Sequence, residues 1–229
     1  MDIEDNYKEE ILKVWDDFKD LEELNEKEYR QFPISPKTVE NDSILFIGIN
    51  PSFGKNKKVS DIPKKLEFYP KMNEEETDIP YFEKFKEVTR GSNMSWTHLD
   101  LLYIRETNQK VIAEMMRNKD GIDFINRQLD ISFDIIEKSN PKIIIVANAL
   151  ASELFGKMKK AHNSFTKIWK GFNLDFKKDF DDEIGTYRIP LNGKQVPIIF
   201  YGMLSGQRAL DLGSLERLKW QINMILKKQ

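Results

Sequence analysis

The chain reads as an α/β protein, with three layers, α/β/α, built around a central four-stranded and mainly parallel sheet. Three observations carry this expectation. Short apolar runs rich in β-branched residues alternate with longer segments whose apolar residues recur at three- or four-residue spacing. Two of the runs, Ser43 to Gly48 and Lys142 to Ala147, are almost continuously apolar, as in strands covered on both faces. Tight polar loops follow two of the strands, at Asn50-Pro51-Ser52 and at Gly202.

Taken in order, Ile11, Val14, Trp15, Phe18 and Leu21 predict an amphipathic N-terminal helix with an acidic opposite face. The stretch QFPISPKTVEND ends it, so residues 1–42 are expected to form an acidic helical extension packed on a single α/β domain at 43–229. SILFIGINPSFG (Ser43 to Gly54) is the first strand and its loop. Residues 55–80, with Pro63, Pro70, Pro80 and the run Glu74-Glu75-Glu76, are expected to be irregular around one short helix. Tyr81, Phe82, Phe85 and Val88 mark a helix closed by Gly91; Trp96 to Ile104 is the second strand, and RETNQK a polar loop. A helix from Asn108 is interrupted at Gly121 and resumes through Ile122, Ile125, Leu129, Phe133 and Ile136 until Asn140-Pro141 stops it. KIIIVA is the third strand, ALASELFG a helix, and His162 to Asp182 an excursion. Tyr187–Leu191 and Gln195–Tyr201 flank Asn192-Gly193, a hairpin signal, and the second arm is the fourth core strand. The terminal helix carries Leu215, Leu218, Ile222 and Ile225, with Ser214 as its N-cap.

Composition narrows the function classes. Zero Cys excludes disulfides, thiolate zinc sites, iron–sulfur clusters and Cys nucleophiles, and His98 and His162 are too few for a conventional histidine metal site. No cofactor is expected. No apolar run reaches about 18 residues and the N-terminus is acidic, so neither a membrane span nor a secretory signal is expected, and a cytoplasmic setting is. The net charge of -2 averages two unlike parts: residues 1–42 hold 6 Lys+Arg against 14 Asp+Glu, and the remainder is mildly basic. A basic body could meet phosphates, but charge alone reads first as a solvated surface, and so do Lys157, Lys159, Lys160, Lys167 and Lys170, a face that could also help hold DNA.

The common α/β phosphate cradles, G-x-G-x-x-G and G-x-x-x-x-G-K-[ST], are missing, and Gly202-Met-Leu-Ser205-Gly206 has the wrong spacing for a hydrolase elbow. What remains is a pair of loops, INPSFG after the first strand and GMLSGQRALD after the fourth. Here the sequence resembles the uracil-DNA glycosylase superfamily, closest to its mismatch-specific and single-strand-selective branches. Their first motif is a strand followed by G-[IM]-N-P-G, and this chain has Gly48-Ile49-Asn50-Pro51-Ser52. Their second is H-P-S or N-P-S-G before a helix, and this chain has Met203-Leu204-Ser205-Gly206 before SLERLKWQINMIL. PKIIIVANALASELFG is similar to the family's third strand and helix, and WTHLDLLYIRETNQ to its base-recognition strand. The ordered set runs from about Ile44 to Leu226.

The resemblance implies a DNA glycosylase that flips a base from DNA and hydrolyses its N-glycosidic bond without a metal. It implies that Asn50 positions the water, that Ile49, Pro51, Phe53, Phe82 and Asp100 surround the base, and that Ser52, Met203, Ser205, Gly206 and Arg208 meet the DNA. Two departures stand out. Met203 occupies the place of a hydrogen-bond donor and a thioether cannot donate. Asp100 stands where the family has an amide; an ionised carboxylate only accepts, which favours a base edge carrying an amino group. From the residues alone, Asn50-Pro51 reads first as a turn, Phe53 is as readily core as a stacking platform, Phe82 reads first as core, and Asp100 is either a buried structural carboxylate or a site residue. A glycosylase-fold protein that binds a base or nucleic acid without cleaving is the main alternative, and an unrelated small-molecule hydrolase a weaker one.

Overall fold

The computed structural model describes residues 1–53, 64–73, 79–156, 172, 174–205 and 209–228. The extension begins with α1 (Ile3–Asp17), capped by the Asp2 side chain, then α2 (Glu22–Asn25), a single 3₁₀ turn (Glu28–Arg30) and β1 (Ile34–Pro36). The body follows as β2 (Ile44–Gly48), β3 (Glu67–Tyr69), α3 (Pro80–Thr89), β4 (Trp96–Asp100), α4 (Gln109–Met115), α5 (Lys119–Ser139), β5 (Ile143–Val146) and α6 (Ala149–Phe155). It closes with α7 (Phe176–Asp179), β6 (Phe180–Asp181), β7 (Thr186–Leu191), β8 (Lys194–Phe200) and α8 (Leu212–Lys227).

The fold is mixed α/β with a mostly parallel sheet, as expected, but among the described residues the sheet has six strands instead of four. Their order is β4-β2-β5-β8-β7-β6; the first four are mutually parallel, and β7 and β6 continue antiparallel. The four parallel strands are the four read from sequence. The two extra ones arise because the Asn192-Gly193 turn, both residues at positive φ, folds β7 back on β8 as a sheet member and gives β6 an edge to join.

β2, β4 and β5 are buried along their whole length, and their side chains alternate between two cores. Leu45, Ile47, Leu99, Ile144 and Val146 pack with Ile3, Tyr7, Ile11, Phe124, Leu129 and Ile136 from α1 and α5. Ile44, Phe46, Trp96, Ile143, Ile145 and Ile199 pack with Phe82, Phe85 and Val88 from α3 and with Leu218, Ile222 and Ile225 from α8. The chain leaves β2 toward β4 on one side, then crosses back to β5 on the other. The loops after β2 and β5 therefore diverge, and that divergence opens a crevice at the carboxyl edge in sheets of this kind.

Several sequence expectations need correction. The 31–42 stretch holds a strand, β1, which pairs in parallel with β3 in a second small sheet; β3 lies in the run expected to be irregular. The second strand stops at Asp100 instead of Ile104, because Leu101 and Leu102 turn their N–H groups to the carbonyls of Gly48 and Ile49. The helix interruption falls at residues 116–118: Gly121 lies inside the first turn of α5, where a Cβ would stand 2.2 Å from the Met115 carbonyl oxygen. Asp211, not Ser214, caps α8, accepting from the Ser214 N–H. His162, the five lysines at 157, 159, 160, 167 and 170, and the run Glu74-Glu75-Glu76 lie outside the described residues.

The largest correction concerns RETNQK. Arg105 and Glu106 are buried, and the Glu106 carboxylate receives Arg30 Nε at 2.7 Å and the Asn108 N–H at 2.6 Å. Arg30 in turn gives Nη1 to the Glu23 carbonyl and to Glu26. A buried pair is costly to break from one side, because the survivor is left charged in a medium of low polarity. Arg30→Met is expected to lower unfolding free energy by roughly 3–5 kcal/mol, with a substantial part recovered in the double variant R30M/E106L. Urea denaturation of the three proteins checks this; a loss under about 1 kcal/mol for R30M contradicts the assignment.

Candidate functional site

The loop after β2 is fixed by one side chain. The Asn50 carboxamide nitrogen lies within 3.1 Å of the Pro51 and Ile104 carbonyl oxygens and 2.6 Å of the Glu106 carbonyl oxygen. The Glu106 N–H returns a bond to the Pro51 carbonyl at 2.9 Å. Parallel strands cannot be joined by a hairpin, so the loops leaving β2 and β4 need cross-links of their own, and an amide donor among carbonyls supplies them. With its nitrogen committed, Asn50 has one chemical group left, Oδ1, to which nothing donates among the described residues. Ser52 Oγ lies 3.0 Å from Thr107 Oγ1, and Thr107 donates to the Phe53 carbonyl. Phe53 is half-buried and stacked on Tyr29, with centroids 4.4 Å apart and planes at 6°.

Asp100 ends β4, directly beside Gly48 in the parallel register. It is 7% exposed and turns into the α3 face of the sheet together with His98, two residues earlier on the strand. Gly48 makes the room: a Cβ there would stand 2.0 Å from Asp100 Oδ1 and 3.1 Å from His98 Nε2. His98 Nε2 lies 3.5 Å from Oδ1 and 3.5 Å from the Tyr81 hydroxyl, and Nδ1 lies 3.2 Å from the Tyr69 hydroxyl. Phe82 and Phe85 wall the cluster with their rings 5.3 and 5.6 Å from the imidazole.

No lysine or arginine compensates these groups among the described residues, and burial decides their charge. Burial raises the Asp100 carboxyl to about 8 and lowers the His98 imidazole to about 3, so both are neutral near pH 7. The expectation of an acceptor-only carboxylate took Asp100 as ionised, and burial acts against that ionisation. An un-ionised carboxyl carries a donor as well as an acceptor.

The expected site residues therefore fall into groups. Asn50, Pro51, Ser52 and Phe53 form one loop cluster with Thr107, Glu106 and Tyr29. Asp100 and Phe82 belong to the polar–aromatic cluster, with the Phe82 side chain in the core. The Ile49 side chain is core on the opposite face, so only its backbone belongs to the loop. Met203 and Ser205 are half-buried after β8; the Met203 carbonyl accepts from Leu210, and Leu204 is buried in the core that holds Phe82. Gly54, Gly206 and Arg208 lie outside the described residues. Asn50 and Asp100 leave neighbouring strands, roughly 5 Å apart, whereas β8 is three strands from β4, about 14 Å. The first two loops are thus neighbours and the third is a separate wall.

Sequence reasoning passed over Tyr69, Glu106 and the opening at Gly48, read Tyr81 with Phe82 and Phe85 as a helix face packed in the core from which one ring could reach a base, and read His98 as structural; Tyr69 was not legible, since it comes from β3. A cavity of about 540 Å³ lies elsewhere, between α1 and residues 31–33 and 64–68, lined by Trp15, Phe32, Phe68 and Lys19 among others. No protein-family model matches the chain, and no curated protein matches it as a relative.

The two neutral groups act on stability in opposite directions. Asp100 has a folded value above its ordinary 3.8, so its contribution is complete below that value and is lost as pH rises toward about 8. His98 is held below its ordinary 6.5, so its contribution is complete above 6.5 and is lost as pH falls toward about 3. Asp100→Asn removes only the first loss. Its stability relative to wild type is expected to climb steadily between pH 4 and 8 in urea denaturation; a difference independent of pH means that Asp100 is not held un-ionised.

Proposed function

We propose that the chain is a DNA glycosylase of the uracil-DNA glycosylase type, with that superfamily's three-layer α/β/α arrangement around the four parallel strands. It hydrolyses the N-glycosidic bond of uracil or another deaminated base in DNA. The observation that carries this reading is the Asn50 clamp: an amide at the diverging carboxyl edge whose nitrogen is held by three carbonyls and whose Oδ1 receives no hydrogen bond from any described residue. Such an oxygen accepts a hydrogen bond from a water and holds it on one side of a sugar carbon. The ordered motif match from about Ile44 to Leu226 supports the same reading.

In this mechanism the bond between the sugar carbon and the base nitrogen lengthens, leaving positive charge on the sugar and negative charge on the base. Asn50 Oδ1 orients the water that adds to the sugar carbon, and the water's proton ends on the departing base. Phe53, pre-stacked on Tyr29, offers an aromatic edge beside the flipped base. Asp100 meets the base edge from the neighbouring strand, and the loop holding Met203 and Ser205 faces the DNA backbone.

Met203 favours a second reading. Its thioether has no proton to donate to a departing anion, and the loss of one such donor costs on the order of 10²-fold in rate or more. A protein that binds the flipped base without releasing it fits that residue. The two readings separate on single- and double-stranded oligonucleotides carrying uracil, hypoxanthine or xanthine. The glycosylase reading expects free base from wild type and a fall of about 10²-fold or more in Asn50→Ala, assayed well below that variant's melting midpoint. Salt-dependent DNA binding with no base released by wild type rejects hydrolysis and leaves the binding reading.

A further inference from the structure

Away from both loop clusters, the cavity of about 540 Å³ beside α1 is built from two separate parts of the chain. One wall is a single stripe of the extension: Glu4, Lys8, Leu12, Trp15 and Lys19 succeed one another at three- or four-residue steps. The 15 residues of α1 run about 22 Å at 1.5 Å per residue, so the cavity beside them is a long slot and not a round pocket. The opposite wall is residues 31–33 and 64–68. There Leu66 and Phe68, two residues apart, turn to the slot while Glu67 between them turns to Arg105 at 2.7 Å.

Floor and mouth of the slot differ in chemistry. Trp15, Pro33 and Leu66 are buried, whereas Leu12, Phe32 and Phe68 are only half-buried, so apolar surface is left uncovered. Lys8, Lys19, Lys64 and Lys65 are all exposed, and they stand against two carboxylates, Glu4 and Asp16. Glu4 is already taken by Lys37 at 3.1 Å, and none of the four lysines is ion-paired among the described residues. This surplus of cations stands out because residues 1–42 hold only 6 Lys+Arg against 14 Asp+Glu. The volume falls in the range of roughly 300–1,000 Å³ that small-molecule sites occupy, with the mostly apolar lining and few charged groups such sites share.

We propose that this slot binds one long-chain carboxylate, its alkyl body lying along α1 between Leu12 and Phe68 and its head group held by the lysines at the mouth. A chain suits the slot because the lining repeats along the helix, and each methylene laid on it leaves water. The carboxylate stays at the exposed rim, where it keeps part of its hydration and meets cations, so no charge has to be buried. A cationic amphiphile gains the same apolar contact and is repelled by the same lysines. Asn50, Asp100 and Met203 do not line the slot, so the site stands apart from the glycosylase-type reading.

The test is isothermal titration calorimetry of the full chain with dodecanoate, decanoate and dodecyltrimethylammonium, each below its micelle concentration. Dodecanoate is expected to saturate at one molecule per chain, with decanoate about tenfold weaker for its two missing methylenes. The ammonium binds at least about tenfold more weakly than dodecanoate at low salt, and the gap narrows as salt rises. Leu12→Trp fills the slot and abolishes binding. The double variant K64E/K65E changes only exposed side chains; it weakens dodecanoate about tenfold and tightens the ammonium. Thermal melting by circular dichroism establishes that each variant is folded, and K64E/K65E decides alone if L12W is not. Absence of saturable dodecanoate binding, equal affinity for the two head groups, or unchanged affinity in the folded variants each overturns the proposal. Sedimentation with anionic phospholipid vesicles, without binding of monomeric dodecanoate, also overturns it and makes this face a membrane contact.

Discussion

Glu106 is the residue on which the geometry of this carboxyl edge depends. Its carboxylate is held by Arg30 from the extension, its N–H by the Pro51 carbonyl and its own carbonyl by the Asn50 amide. Three chain segments far apart in sequence thus meet at one residue that is 4% exposed. In a parallel sheet the ladder aligns β2 with β4 but says nothing about the loops beyond their ends. Those loops are set by this knot. The acidic extension is therefore more than a cover for one face of the sheet: Tyr29 and Arg30, adjacent residues of its 3₁₀ turn, hold Phe53 by stacking and Glu106 by charge.

Much of the fold was legible because its signals are local. Continuous apolar runs, the 3.6-residue stripe of α5 and the Asn192-Gly193 turn each report a periodicity or a backbone conformation that a short window contains. The strands that went unread, β1, β3 and β6, are two or three residues long, too short to display a period. Of the candidate site, Asn50 and Asp100 were legible from their places at strand ends. The character of RETNQK was not. A pair of charged residues in a polar run looks solvated unless the buried Arg30, 76 residues away from Glu106, is already known to meet it.

The same limit applies to the charge of Asp100. Reading an isolated Asp gives an ionised acceptor, because that is its state in water. What acts against ionisation is burial among phenols, an imidazole and two phenyl rings, drawn from β3, α3 and β4. Gly48 is the one local clue. A glycine at the end of an otherwise bulky buried strand weakens that strand unless something occupies the space, and here the neighbour's carboxyl does.

Two carboxyls six residues apart, Asp100 and Glu106, thus follow opposite electrostatic rules on one stretch of chain. Glu106 is buried with a guanidinium at 2.7 Å and a backbone N–H at 2.6 Å, so its burial is compensated and its geometry rigid. Asp100 is buried with no cation beside it among the described residues and with one imidazole at 3.5 Å, too long for a strong bond. A carboxyl left with unspent hydrogen-bonding capacity inside a core is a poor way to stabilise a fold, since an apolar residue of the same size would avoid the desolvation. Stability is concentrated at Glu106 so that the loops hold still, and hydrogen-bonding capacity is left over at Asp100 and at Asn50 Oδ1, on neighbouring strands at the same edge of the sheet.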